Sequence, residues 1–315
     1  MKQILGVYSA PKPHWVGDGF PVRSMFTYTG QTQALSPFLM LDYAGPTKFA
    51  PAGKRRGVGE HPHRGFETVT IVYEGEVEHR DSSGGGGKIG PGDVQWMTAA
   101  SGILHDEFHS AEFSRSGGML EMVQLWVNLP AKDKMIPPAY QGLEADQVVL
   151  LSSRDGGSLV RVIAGEVGGH HGPGSTHTPM ALIHATLSAG SLLELPWNPR
   201  FNALVYVLSG VGQVGHERRK VQGGQLAVFG PGVWLTILND ERANAASADL
   251  DVLVLGGQPI GEPVEHYGPF VMNTRDEIMQ ALEDFEAGRL GRVPANALMP
   301  HVPDPDPIRV EHTGI

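Results

Sequence analysis

The sequence predicts an all-β protein of two tandem jelly-roll barrels with one short helix near the C-terminus. Three observations lead to this fold class. Glycine and proline are abundant, at 42 and 24 of 315 residues, whereas charged residues make up only 18 %. Short β-rich runs recur between the glycines and prolines, and the two halves of the chain resemble each other. A helical bundle would need far more alanine, glutamate, lysine and leucine.

Eight runs have the length and composition of β-strands and are separated by turn signals. Many short strands at such spacing are typical of a sandwich or barrel. The runs are Phe66–Glu74, Asp93–Met97, Leu120–Val127, Gln147–Leu151, Val160–Ala164, Leu204–Leu208, Gln225–Phe229 and Leu250–Leu255.

An internal repeat indicates that the chain contains two similar barrels. Val69–Gly75 resembles Leu204–Gly210, and the segment that begins at Gly90 resembles the segment that begins at Gln222. Self-similarity of this kind is the signature of a duplicated structural unit. We therefore predict an N-terminal domain over 1–135, a linker over 136–146, a C-terminal domain over 147–295 and an extended, proline-rich tail over 296–315.

One helix is predicted near the C-terminus. Thr274 and Glu277 have the spacing of a capping box, and Ile278, Leu282 and Phe285 fall on one face of the helix that follows.

Composition excludes several classes of protein. The net charge of −10 argues against direct nucleic-acid binding, and the absence of cysteine excludes disulfides, thiolate catalysis and iron–sulfur clusters. No apolar run is long enough for a signal peptide or a membrane span. We expect a monomer in the cytoplasm, or in the nucleus if the source is eukaryotic.

Two short histidine-containing segments predict a metal site. In an extended strand His61 and His63 point to the same face, roughly 6.6 Å apart at about 3.3 Å per residue. The same alternation places His105 and Glu107 together one hairpin later. Three imidazole nitrogens and one carboxylate can surround a divalent cation.

Other interpretations of these residues stay open from the sequence alone. A His-x-His pair is weak evidence in a chain with 14 histidines, and the pair is also compatible with surface positions at strand ends. By parity Glu67 faces the same side as His61 and His63, where it could support the ligands. His79 is expected on a solvated face, and His109 in a loop.

Several long segments closely resemble the pirin family of bicupins, from about Trp15 to Gly288. The similarity is densest in the N-terminal half. The segments that carry it are His61–Val72, Glu74–Asp81, Pro91–Ala99, Gly268–Thr274 and Pro37–Asp42.

The resemblance implies two cupin barrels with a single metal in the N-terminal one. The implied ligands are His61, His63, His105 and Glu107, the same set that the strand spacing indicates. Asp106 departs from the family pattern, in which serine is frequent at this position.

The resemblance also implies a function. Fe(II) is the expected ion, with Ni, Mn, Co, Cu or Zn as other ions compatible with nitrogen and oxygen donors. The expected activity is dioxygenation of a flavonol such as quercetin, or of another chelating enol or catechol, with O₂ as co-substrate and Glu107 as general base. The alternatives are a metal-responsive regulator that binds protein partners and a barrel in which the metal is purely structural.

The repeat predicts that the C-terminal barrel lacks this metal site. An ungapped count from Gly75 and Gly210 equates His61 with Pro196 and His63 with Asn198. The equivalent count from Gly92 and Gly224 equates the other two predicted ligands, His105 and Glu107, with Ile237 and Asn239.

Overall fold

The computed structural model describes residues 1–30, 33–240 and 249–294. Each of the eight predicted strands coincides with an observed strand to within two residues at either end, whereas the predicted tail lies outside the described residues. The described strands, in chain order, are β1 (Ile4–Ser9), β2 (His14–Val16), β3 (Phe20–Phe26), β4 (Phe38–Phe49), β5 (Gly57–His63), β6 (Phe66–Glu74), β7 (Val77–Asp81), β8 (Gly86–Ile89), β9 (Val94–Thr98), β10 (Ile103–His109), β11 (Gly118–Asn128), β12 (Ala139–Leu143), β13 (Val149–Ser152), β14 (Ser158–Ala164), β15 (Glu166–Val167), β16 (His170–His171), β17 (Met180–Leu187), β18 (Leu192–Pro196), β19 (Ala203–Ser209), β20 (Val211–Val214), β21 (Arg219–Gln222), β22 (Gln225–Phe229), β23 (Trp234–Asn239), β24 (Leu250–Gly257), β25 (Glu265–Tyr267) and β26 (Phe270–Met272). The helices are α1 (Ala111–Ser116) and α2 (Arg275–Glu286).

The chain forms two compact units, and each is a barrel. The first barrel comprises Lys12–Tyr28, Met40–Ala145 and residues 262–294. The second barrel comprises Met1–Pro11, Thr29–Leu39 and Asp146–Gly261. The predicted all-β fold with two jelly-roll domains is confirmed.

The sheets of the two barrels have the same design, as the internal repeat predicts. A seven-stranded sheet β12-β9-β6-β11-β4-β3-β2 and a four-stranded sheet β5-β10-β7-β8 form the first barrel. The second has β1-β22-β19-β24-β17-β14-β13 and β18-β23-β20-β21. The registers also agree, because Val69 pairs with Trp96 and the equivalent Leu204 pairs with Val228.

Three segments belong to a different barrel or element from the one that sequence order suggests. Strand β1 lies in the second barrel, where it pairs with β22 and packs Ile4 and Val7 against the apolar core. Strand β12 lies inside the predicted linker and pairs with β9 of the first barrel. Helix α2 packs on the first barrel through Ile278 and Ala281, which share a buried apolar cluster with Leu104.

The predicted capping box of α2 is confirmed. Thr274 Oγ1 accepts a hydrogen bond from the Glu277 amide at 3.3 Å, and Glu277 Oε2 accepts one from the Thr274 amide at 2.8 Å. Of the predicted apolar face, Ile278 is buried and Phe285 remains exposed. Neither helix of the described chain has the length or apolar composition that a membrane crossing requires.

Candidate metal centre

The first barrel brings the three predicted histidines together on two neighbouring strands. Strands β5 and β10 are antiparallel, with His61 opposite His105 and His63 opposite Ile103. The ring centroid of His105 lies 4.2 Å from that of His61 and 4.8 Å from that of His63. One nitrogen of each ring lies within 4.8 Å of one nitrogen of the other two.

A tight turn after β5 fixes the position of His63. Gly65 has a φ of 89°, a conformation that favours glycine, and a Cβ there would stand 1.9 Å from the Val271 carbonyl oxygen. The Lys134 ammonium donates to the carbonyl oxygens of Gly65 and Val271, at 2.6 and 3.0 Å. The close approach to Val271 and the hydrogen bonds from Lys134 therefore both fix the turn.

Backbone carbonyls anchor one ring nitrogen of two of the histidines. His61 Nδ1 lies 2.9 Å from the Gly59 carbonyl oxygen, and the His63 ring donates to the carbonyl of Pro269. A hydrogen bond of this kind fixes the orientation of a histidine ring and leaves its other nitrogen for a metal. His63 Nδ1 is buried and has no hydrogen-bond partner among the described residues.

The third histidine is anchored by another histidine. His105 Nδ1 lies 3.1 Å from His79 Nδ1, while His105 Nε2 is buried without a hydrogen-bond partner in the described part of the chain. Burial lowers the pKa of both His63 and His105 well below the usual value for histidine. Both rings are therefore neutral near pH 7, as metal ligation requires.

Glu107 faces the same interior from β10. Its Oε1 accepts hydrogen bonds from Gln95 Nε2 at 3.0 Å and from the Thr70 hydroxyl at 3.5 Å. Glu107 forms a second cluster of potential ligand atoms with His79 and His105. Neutral imidazole nitrogens beside a carboxylate suit a divalent ion, and the residues present fit the metal that the sequence predicts.

Strand β7 contributes residues that the sequence did not assign to the site. His79 is fully buried, with 0 % of its surface exposed, so its expected solvated position is wrong. The charged neighbours that suggested solvent are paired, because Glu78 binds Arg55 and Arg80 binds Asp106. Side-chain alternation along Val77–Asp81 could have predicted the position of His79, because it places His79 on the same face of the strand as the apolar Val77.

Three other expectations near the site are settled by strand geometry. Asp106 points away from the cluster toward Arg80, so its extra charge is already neutralised. His109 is a core residue rather than a loop residue, since its Nε2 lies 2.9 Å from the Gly19 carbonyl oxygen and burial lowers its pKa to about 4. Glu67 lies on the opposite face of β6 from Thr70, because the turn after His63 breaks the parity between β5 and β6.

Glu67 predicts a pH-dependent stability that is separate from the metal. Burial raises its pKa to about 7 from 4.5, although the Thr98 hydroxyl donates to its carboxylate and partly opposes the shift. A raised carboxyl pKa contributes stability at acidic pH that is lost as the pH rises through about 7. We compare the unfolding free energy of Glu67→Gln with that of wild type at each pH. This difference should rise in favour of Glu67→Gln by on the order of 2–3 kcal/mol from about pH 5 to about pH 8.

Urea unfolding of metal-free wild type and Glu67→Gln at both pH values measures that gain. The comparison cancels groups common to both proteins, including Lys134, whose pKa burial lowers to about 7. The same pH dependence in the two proteins would show that Glu67 is ionised throughout.

An aromatic wall extends from the histidine cluster toward the surface. It consists of Phe66, Trp126, Tyr28 and His266. The Trp126 ring lies 5.2 Å from His63 and 4.3 Å from Phe66. Tyr28 stacks on Trp126 at 5.6 Å with an interplanar angle of 6°, and the exposed His266 contacts Tyr28 at 4.7 Å. This wall offers a flat, apolar contact surface beside the cluster.

In the second barrel the strand pair that corresponds to β5 and β10 is apolar. Leu193 pairs with Ile237 and Leu195 with Leu235, and all four are buried in the core. The ungapped count fails on β18, because it equates His61 with Pro196, which pairs with Trp234 rather than with Ile237. The two clusters of metal-binding donors found in the described residues both lie in the first barrel.

We therefore predict one metal equivalent per chain. Elemental analysis of the purified, reconstituted protein measures the stoichiometry directly. Two equivalents that bind with similar affinity would show that the second barrel holds a site of its own.

Two cupin-type barrels with one histidine–carboxylate cluster define the chain as a bicupin with a candidate metal centre. Comparison with known families gives the particular group. The Pirin family model matches residues 19–127, and the model of the pirin C-terminal cupin domain matches residues 182–291. The chain belongs to the pirin family, as its motifs predict.

Individual relatives are similar over nearly the whole chain. A Pseudomonas aeruginosa protein with the provisional name quercetin 2,3-dioxygenase is 55 % identical, over 93 % of this chain and 99 % of its own. A pirin-like protein of Caulobacter vibrioides is 40 % identical over 86 % and 94 %. A crystal structure of quercetin 2,3-dioxygenase from Acinetobacter baumannii shares 49 % identity, with a TM-score of 0.87 over 92 % of this chain and 99 % of that one.

Proposed function

We propose that the chain is an Fe(II)-dependent dioxygenase that acts on flavonols of the quercetin type or on other chelating enols and catechols. The observation that carries the proposal is the buried, neutral pair His63 and His105, each with an unpartnered ring nitrogen. Glu107 lies on the same strand as His105, and the Trp126 ring of the aromatic wall lies 5.2 Å from His63. The names of the Pseudomonas and Acinetobacter relatives support the same reaction class.

His61, His63, His105 and Glu107 would hold the ion. Bound iron would supply Lewis acidity toward a chelating hydroxyl and electrons toward O₂. Ni, Mn, Co, Cu and Zn could bind to the same nitrogen and oxygen donors. The donor types alone do not determine which of these ions is bound.

The protein residues provide orientation and proton transfer. Gln95 and Thr70 hold one carboxylate oxygen of Glu107, which orients this side chain on the inner face of the barrel. We assign Glu107 the role of the base that accepts the proton of the substrate hydroxyl. Trp126 and Tyr28 would stack against a flat substrate and exclude water from its ring.

Anaerobic reconstitution with Fe(II), followed by O₂-uptake measurements, tests this function. The substrate panel comprises quercetin, a simple catechol and a small enol. We expect O₂ consumption that matches the loss of the flavonol and that is absent from metal-free protein. If fully loaded protein consumes no O₂ with any of the three, the proposal fails and a metal-responsive regulator with a protein partner becomes the better account.

A further inference from the structure

The carboxylate of Asp81 on β7 is fully buried, and its two oxygens have different hydrogen-bond partners. Asp81 Oδ1 accepts from the Ser83 amide at 2.8 Å, the Ser83 hydroxyl at 2.6 Å and the Gly85 amide at 3.0 Å. Its other oxygen, Oδ2, lies 3.2 Å from His79 Nε2. Since a carboxylate oxygen can only accept, His79 Nε2 must carry a proton that it donates to Asp81.

The hydrogen bond at the other nitrogen of His79 determines which nitrogen of His105 carries a proton. His79 Nδ1 and His105 Nδ1 are 3.1 Å apart, so one of them carries a proton and the other a lone pair. When the single proton of a neutral His79 is on Nε2, its Nδ1 can only accept. His105 then donates from Nδ1, and its Nε2, which has no partner among the described residues, keeps a lone pair.

We propose that Asp81 and His79 form a relay of hydrogen bonds that fixes the tautomer of His105 and presents its bare Nε2 to the metal. Both are positioning residues, because they act on the ion only through His105. The inference rests on the proposed metal site for its purpose, although the tautomer itself is a property of the metal-free protein.

The surrounding strands hold the relay in place. Strand β10 pairs with β7 so that His105 lies opposite Asp81 and Glu107 opposite His79. Tyr140 of β12 stacks on the His79 ring, with centroids 5.3 Å apart and planes at 18°. The register therefore places the three relay side chains next to one another, and the Tyr140 ring packs against the His79 ring.

Long-range ¹H–¹⁵N NMR of histidine-labelled, metal-free protein tests the relay directly, with the His105 signal assigned by its loss in His105→Ala. We expect His105 to be protonated on Nδ1 and bare at Nε2, and His79 to be protonated on Nε2 alone. A doubly protonated His79, or a His105 protonated on Nε2, would overturn the proposal.

Asp81→Asn should reverse the direction of the relay. Because three donors converge on Oδ1, the asparagine oxygen will stay there and its NH₂ group will face His79. His79 Nε2 must then accept, its Nδ1 donates to His105, and His105 becomes protonated on Nε2. An unchanged His105 tautomer in folded Asp81→Asn would contradict the proposal, whereas a simple packing role does not predict this reversal.

His79→Asn and His79→Leu form a matched pair for metal affinity. The two side chains have similar shapes, but only asparagine places an acceptor oxygen where His79 Nδ1 stood. We expect cobalt(II) titration to show a 10- to 100-fold loss of affinity in His79→Leu, as is usual when a ligand loses its hydrogen-bond partner. His79→Asn should remain within a few-fold of wild type.

Arg80→Gln is the control on the same strand, since Arg80 faces away toward Asp106. It should leave both the tautomer and the affinity unchanged. Equal losses of affinity in His79→Leu and His79→Asn would refute the relay. Failure of the metal site itself would look different, because His105→Ala would then retain metal while the tautomer result would be unaffected.

Discussion

His105→Ala should bind Fe(II) at least on the order of 100-fold more weakly than wild type, and His61→Ala should do the same. Removal of a residue that only hydrogen-bonds to a ligand typically lowers metal affinity 10- to 100-fold, and removal of the ligand itself lowers it further. The two histidines lie directly opposite each other on β5 and β10, so each substitution removes one donor from the same cluster. Metal content after reconstitution and dialysis measures the effect.

His109→Gln is the matched control for these variants. His109 is also buried on β10, but it contacts the Gly19 carbonyl oxygen and the aromatic residues Phe20 and Phe49, outside the cluster. Glutamine keeps a donor at this position, and the variant should retain a full metal equivalent. Retention of a full equivalent by folded His61→Ala or His105→Ala would remove that histidine from the site.

Glu107→Gln should reduce turnover by about 100-fold or more while most of the metal stays bound. The amide keeps an oxygen that can accept from Gln95 and contact the ion, but it cannot take a proton from the substrate. Loss of a positioned general base typically costs 10²- to 10⁴-fold. Steady-state flavonol cleavage, normalised to bound metal, gives the ratio.

Glu67→Gln provides the control for removing a buried carboxyl group from the same barrel. Glu67 lies on the opposite face of β6 and contacts Thr98 rather than the cluster. We expect its normalised turnover to match wild type. Undiminished cleavage by Glu107→Gln would exclude Glu107 as the base.

Local patterns were sufficient to predict eight of the described strands and the histidines that share a face within one segment. Strand β6 is bounded by glycine on both sides and fully apolar or threonine-rich on its inner face, and its predicted limits are the observed ones. Side-chain alternation within one strand is independent of tertiary structure, so it predicts that His61 and His63 share a face. The contact of both with His105 depends on the pairing of β5 with β10.

The rest depends on contacts that are distant in sequence. Nothing within Ile4–Ser9 indicates that this strand pairs with β22, more than two hundred residues away. Helix α2 is likewise predicted by its own capping box, whereas its place on the first barrel depends on Leu104 and Phe270. Parity failed for Glu67 because it does not extend through the Gly65 turn.

His79 was misassigned because a run of charged residues usually indicates a solvated strand. The structure pairs Glu78 with Arg55 and Arg80 with Asp106, which makes burial of the strand possible. Such partners come from other strands, so the sequence of β7 alone could not reveal them.

The ligand set is tested most directly by anomalous diffraction at the iron absorption edge, from crystals grown anaerobically with Fe(II). We expect one peak per chain, bonded to His61, His63, His105 and Glu107, with His79 hydrogen-bonded to His105 and not to the ion. A peak bonded to His79 in place of His61 and His63, or a peak in the second barrel, would contradict this expectation.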